Sequence, residues 1–210
     1  MKILTSDVWS IHNAGDAAIL EALLDGLRRA FPGAELQVAA RFPESCDDLA
    51  GVEVVPDVLA FDSEALDAQL AHRRGRDVAL DRLRGAYEDA DLVVSTGGYF
   101  LNATPGNPFT HVLLSRLVHF AWAGAAGVPV VALGQSVGPF GSAELRTAAR
   151  QAFDDFSLFT VRDVQSWSYL QRTGLAPRAQ LTADLAVGLE AARGSDVTAA
   201  MDWNGLAVER

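Results

Sequence analysis

Short apolar runs alternate with longer amphipathic stretches along most of this chain, and that rhythm restricts its fold more than any other feature. A strand followed by a helix must cross over, and repeated crossovers build a mostly parallel sheet with helices on its faces. Lys2–Trp9 reads as the first strand and Ala17–Phe31 as the helix behind it. Ile19, Leu20, Leu23, Leu24 and Leu27 fall on one face of that helix, and Phe31-Pro32-Gly33 stops it. Leu36–Ala40 and Val52–Val55 read as the next strands. Residues 62–90 carry a broken helical stripe of Leu66, Leu70, Leu80 and Leu83, and the basic run His72-Arg73-Arg74-Gly75-Arg76 reads as a solvated helix face or turn in preference to an anion site.

Asp91–Thr96 is then a strand, Pro108–Ala126 an apolar helix, and Pro129–Leu133 a continuous apolar strand of the doubly covered type. Ser142–Phe153 is a helix capped by Ser142, and Leu158–Val161 a strand. Asp163–Arg172 is a helix stopped by Gly174, and Ala179–Thr182 a last short strand. Beyond Asp184 the pattern weakens: Ala191–Met201 shows no firm face, and Gly205–Val208 could open another strand. The expected fold is α/β, a Rossmann-like doubly wound sheet flanked by helices. In such sheets ligands sit beyond the carboxyl ends of the strands.

Composition narrows the partners. The chain has 210 residues, half of them hydrophobic, enough for a proper core. A net charge of −10 repels duplexes and anionic membranes, so nucleic acid is not expected as a partner. The single cysteine, Cys46, excludes an internal disulfide and a cysteine-based zinc site. No apolar run approaches a membrane span, and the N-terminus lacks a signal-peptide core, so the expected location is cytoplasmic. There is no HExxH, phosphate loop or GxGxxG, so no metal and no cofactor are expected.

Four strand ends carry unusual residues. After the first come Asn13, Gly15 and Asp16, which suit either a helix cap or an anion at a helix N-terminus. After the fourth come Gly97 and Gly98, a close backbone approach or an ordinary turn. After the fifth come Gln135 and Ser136, polar residues between glycines in Gly134-Gln135-Ser136-Val137-Gly138-Pro139. After the sixth come Arg162, Asp163 and Ser166. Asp163 is a natural N-cap, while Arg162 could grip a carboxylate or phosphate, or pair with an acid. His111 and His119, in the apolar helix, read as core or boundary residues.

These stretches resemble the polysaccharide pyruvyl transferase family. The resemblance rests on Asn13-x-Gly15-Asp16-x-x-Ile19, on Gly97-Gly98, and on the run from Gly127 to Pro139. Val161-Arg162-Asp163-x-x-Ser166 and Thr182-Ala183-Asp184-Leu185-Ala186 complete it. It implies transfer of a pyruvyl group from phosphoenolpyruvate to a hydroxyl of a saccharide or glycoconjugate acceptor, forming a ketal, on a fold similar to GT-B glycosyltransferases. Asn13, Gly15, Asp16, Gly97, Gly98, Gln135, Ser136, Arg162, Asp163 and Ser166 would then bind substrate, with Arg162 on the donor's phosphate or carboxylate. Tyr99 stands where the family has a third glycine, and Asn102 near its expected acid, so no residue is assigned as the catalytic acid. Residues 1–190 would form the N-terminal domain, and residues 191–210 a linker leading into a second domain. That second half would come from elsewhere in a longer polypeptide, from a second copy or from a partner chain. Two other readings remain: half of a sugar-nucleotide glycosyltransferase, or a non-catalytic module that pairs with a partner.

Overall fold

The alternation resolves into a seven-stranded sheet in which every pairing is parallel. The computed structural model describes residues 1–57, 73–99, 101–103 and 110–190. The strands of the large sheet are β1 (Lys2–Val8), β2 (Glu35–Ala40), β3 (Val52–Pro56), β4 (Leu92–Ser95), β6 (Val130–Gln135), β8 (Phe156–Val161) and β9 (Gln180–Leu181). Two short strands, β5 (Leu101–Ala103) and β7 (Val137–Phe140), pair separately. The large sheet runs β3-β2-β1-β4-β6-β8-β9. The chain winds outward from β1 in one direction, then returns and winds from β4 in the other, which leaves a crevice between the carboxyl ends of β1 and β4.

Among the described residues five helices accompany the strands: α1 (Ala14–Ala30), α2 (Arg73–Glu88), α3 (Thr110–Ala125), α4 (Ala143–Asp154) and α5 (Val164–Thr173). Single 3-10 turns cover Pro43–Cys46 and Leu185–Gly188. Neighbouring strand residues feed opposite faces. Leu4 and Val93 join the core beneath α2, α3, α4 and α5, while Ile3 and Val94 join the one beneath α1. The buried stripe of α1 is Ile19, Leu20, Leu23, Leu24 and Leu27, the set its spacing predicts. Each such leucine or isoleucine contributes about 1.5–3 kcal/mol by leaving water.

Most boundaries move by one to three residues. Helix α1 starts at Ala14, ahead of the expected Ala17, because the Asn13 side chain caps it from outside. Its Oδ1 accepts the N–H groups of Gly15 at 2.9 Å and Asp16 at 3.3 Å. Ser142 and Asp163 cap α4 and α5 as expected, and Gly174 ends α5 in the left-handed region at φ 62°. Strands β5 and β7 are additions that alternation alone does not reveal, being too short for a period-two pattern to register. The stretch 62–72 with His72, and everything from Ala191 to the end, including Gly205–Val208, lie outside the described residues. No described helix is long and apolar enough to cross a membrane.

Candidate functional site at the carboxyl ends of the strands

Beneath the crevice lies a buried polar network that joins four strands. It begins at a bulge in β1: the pairing with β2 shifts register between Thr5 and Val8, and Asp7 takes φ 69°. A non-glycine residue rarely adopts that conformation, which costs about 1–2 kcal/mol, and a bulge re-aims a side chain that would otherwise keep to the pleat. The Asp7 carboxylate meets Arg116 of α3, with Nε 2.7 Å from Oδ1, and both side chains are buried. Arg116 Nη1 also donates to Asp57, the residue just after β3. Ser6 Oγ donates to Asp7 at 3.2 Å, and the Ser95 hydroxyl of β4 donates to the same carboxylate. Gln135 continues the chain from β6, its Nε2 donating to Ser95 Oγ at 2.7 Å and to the Thr96 carbonyl at 2.6 Å. Burial works against the Arg116 charge, but Asp57 and Asp7 outweigh it and hold its pKa above the ordinary value.

His119 packs beside this network, stacked on Tyr87 with ring centroids 5.0 Å apart and tilted against Trp122 at 5.4 Å. Neither ring nitrogen meets a hydrogen-bond partner among the described residues. The reading of His119 as a core residue is the one the geometry supports. Burial pushes its pKa down, opposed by the charges of Asp57 and Asp7 and reinforced by Arg116. The unfolded chain takes up that proton near pH 6.5 while the folded one resists it. Stability is therefore present above about pH 6.5 and falls as the pH drops below it. His119→Phe keeps a ring in the stack and is expected to flatten this loss, by up to about 1 kcal/mol per pH unit. Denaturant titrations at pH 7.5 and 5.5 would show it, and an unchanged pH dependence would disprove it.

Above the network a second cluster reaches the surface. Arg162 directly follows β8, and its guanidinium is gripped from two sides: Nε donates to Ser136 Oγ at 2.9 Å and Nη1 to Asp184 Oδ2 at 2.7 Å. Ser136 Oγ also donates to Asp163 Oδ2 at 2.8 Å. Asp163 caps α5, accepting the Ser166 N–H at 2.7 Å and its hydroxyl at 2.9 Å. Partial burial raises the Asp163 carboxyl, but these hydrogen bonds and the Arg162 charge outweigh it and hold its pKa below the usual value. Asp16, in the first turn of α1, feels the same guanidinium. There burial dominates and lifts the carboxyl, with Arg162 pulling it back. The 3-10 turn at Leu185–Gly188 follows Asp184, whose Oδ1 accepts the Ala186 N–H at 2.9 Å.

Two glycines are required by close approach. A Cβ on Gly97 would lie 2.8 Å from the Gly134 carbonyl oxygen, so the turn after β4 is pressed against β6. Gly98 accepts the Ser136 N–H at 2.8 Å, which ties that turn to the Arg162 cluster. Gly138 sits at φ 78°, and a Cβ there would lie 2.5 Å from the Tyr169 ring. Beside this turn opens a cleft of about 420 Å³ between Tyr99 and the face of α5.

The predicted residues thus separate into two groups. Ser136, Arg162, Asp163 and Ser166 form one hydrogen-bonded cluster, with Asp16 within its field and Gly97 and Gly98 shaping its edge. Asn13 is spent on capping α1, Gly15 is an exposed residue in that first turn, and Gln135 is wholly buried and directed into the network below. The acid that pairs with Arg162 is Asp184, which stood in a motif but not among the candidate residues. Asp7, Asp57, Ser95 and Arg116 were not anticipated. The available signals were an aspartate inside an apolar strand and a lone arginine on an apolar helix. Among the described residues no group of His, Cys, Asp and Glu side chains is placed to hold a metal ion.

Residues 13–207 match the family described as polysaccharide pyruvyl transferase. The amylovoran biosynthesis protein AmsJ of Erwinia amylovora is 25% identical over 197 residues, covering 83% of this chain and 46% of that protein. The chain therefore spans about half the length of this curated relative. The matched region takes in the large sheet from β2 onward, the turns after β4 and β6 and the Arg162 cluster, and the chain belongs to the polysaccharide pyruvyl transferase family.

Proposed function

We propose that this protein serves the transfer of a pyruvyl group from phosphoenolpyruvate to a saccharide, leaving a pyruvate ketal. The observation that carries this reading is the Arg162 cluster at the carboxyl edge of the sheet. Of the five N–H donors of a guanidinium, Ser136 and Asp184 take one each and fix its plane. The remaining donors form a fork suited to a carboxylate or phosphate. The N-termini of α1 and α5 add the positive ends of their dipoles nearby. On a chain of net charge −10, such a local cation is what lets a polyanionic donor approach.

The chemistry asked of the site is modest in covalent terms. A proton adds to the methylene carbon of phosphoenolpyruvate, and the adjacent carbon becomes oxocarbenium-like. One sugar hydroxyl adds there, phosphate departs, and a second hydroxyl closes the ketal as both hydroxyl protons leave. Arg162 would hold the donor and stabilise the charge on departing phosphate. The general acid is not assigned to any residue.

Isothermal titration with phosphoenolpyruvate tests the donor role. Millimolar-range binding is expected for the unaltered protein, with Arg162→Ala at least tenfold weaker and Arg162→Lys between the two, because lysine keeps the charge and loses the fork. Equal affinity for Arg162→Ala would sink the assignment.

A further inference from the structure

The cleft beside the Arg162 cluster has a chemistry different from an anion site. Its upper wall is Tyr99, 57% exposed, in the position where a glycine was expected. An exposed tyrosine usually swings freely, but this one is tethered. Its Oη donates to the Gly138 carbonyl at 3.2 Å, which holds the ring at the wall of the cleft. Tyr169 and Pro139 extend the apolar surface, and Tyr169 is itself held by the Phe140 N–H, which donates to its Oη at 2.9 Å. Opposite stand the Asp163 carboxylate and the side chains of Gln165 and Arg172. Neither Gln165 nor Arg172 makes a side-chain hydrogen bond with the described residues. A volume of about 420 Å³ lies within the usual range for small-molecule sites.

We infer that this cleft seats one pyranose ring of the acceptor saccharide, with Tyr99 as the platform under its C–H face. The inference rests on the pyruvyl transfer reading and extends it to the second substrate. A pyranose has an apolar face of axial C–H groups and a rim of hydroxyls. A fixed aromatic ring answers the first, and the carboxylate, amide and guanidinium answer the second. The ionised Asp163 accepts hydrogen bonds from sugar hydroxyls, and the Arg172 guanidinium lining the same cleft donates to them. Position supports the same occupant. Ser136 hydrogen-bonds both Arg162 and Asp163, so a sugar in the cleft would lie directly against a donor held by Arg162.

Saturation-transfer NMR on the full chain with methyl β-galactopyranoside, methyl β-glucopyranoside and uridine tests this. At least one hexoside is expected to receive saturation. Its Kd is expected to rise about tenfold in Tyr99→Ala and to stay within about threefold in Tyr99→Phe, which keeps the ring and loses only the tether. Arg172→Ala, at an exposed position, is a second variant expected to weaken the same signal. Phosphoenolpyruvate affinity should be unchanged in Tyr99→Ala. No saturation transfer to either hexoside, hexoside binding indifferent to Tyr99, or uridine competing for the cleft would each overturn the inference. If hexoside binding depends on Tyr99 while Arg162→Ala leaves phosphoenolpyruvate binding intact, the donor assignment fails and the saccharide site stands.

Discussion

Arg116→Leu is expected to destabilise the protein by about 3–5 kcal/mol, the largest effect of any single change in the buried network. The substitution fits the volume of an apolar helix, so packing alone predicts a mild outcome. Electrostatics predicts otherwise: Asp7 and Asp57 would face each other without the guanidinium that now bridges them, and neither can reach water. For a chain of this size the loss corresponds to a fall of roughly 10 °C in Tm. Removing the acids at the same time should restore much of the stability. Arg116→Leu with Asp7→Asn and Asp57→Asn leaves no buried charge unpaired. Chemical denaturation of the single and triple variants checks both statements. A single variant that loses less than about 1 kcal/mol would mean that water reaches these carboxylates.

Gly138→Ala is expected to cost about 3 kcal/mol and to abolish hexoside binding in the cleft. Two terms add. A residue with a Cβ at φ 78° costs about 1–2 kcal/mol, and forced overpacking costs about 1–3 more. The new methyl would lie 2.5 Å from the Tyr169 ring, far inside contact distance. That ring has little freedom to retreat: it accepts the Phe140 N–H and packs edge-on against Phe140 at 5.9 Å between centroids. The backbone of Gly138 also carries the carbonyl that tethers Tyr99, so relief of the clash would displace both walls of the cleft. Tm and saturation transfer measured on one sample separate the two losses. A variant that keeps its stability would mean that α5 slides easily on the β7 turn.

The outline of the fold is readable in the sequence because it depends on local physics. The five-residue stripe of α1 is set by spacing alone, and the caps at Ser142 and Asp163 require only a short polar side chain before an apolar run. The Arg162–Asp163–Ser166 stretch is likewise local, three residues on one strand end and helix start. Asn13 was equally visible, and the structure spends it on the cap, the purpose its residue type suits without any ligand.

What the sequence could not express was pairing at a distance. Asp7, Asp57, Ser95, Arg116 and Gln135 lie on five separate segments, and no spacing rule links them. Gln135 illustrates the difficulty: between glycines at a strand end it has the pattern of a ligand-facing residue. Only the neighbouring carbonyls of Ser95 and Thr96 make it a buried donor. The partner of Arg162 had to be found among many acids, and the crossing of the Asp184 segment over the sheet edge selected it. Tyr99 was legible as a departure from an expected glycine, but its use depends on a carbonyl 39 residues away. The alternation of strands and helices therefore determined the sheet, its parallel sense and the edge where a site would lie. The tertiary structure decided which polar groups at that edge face each other and which stay open at the crevice, because strand order is chosen by long-range packing and hydrogen bonding that a linear pattern does not encode.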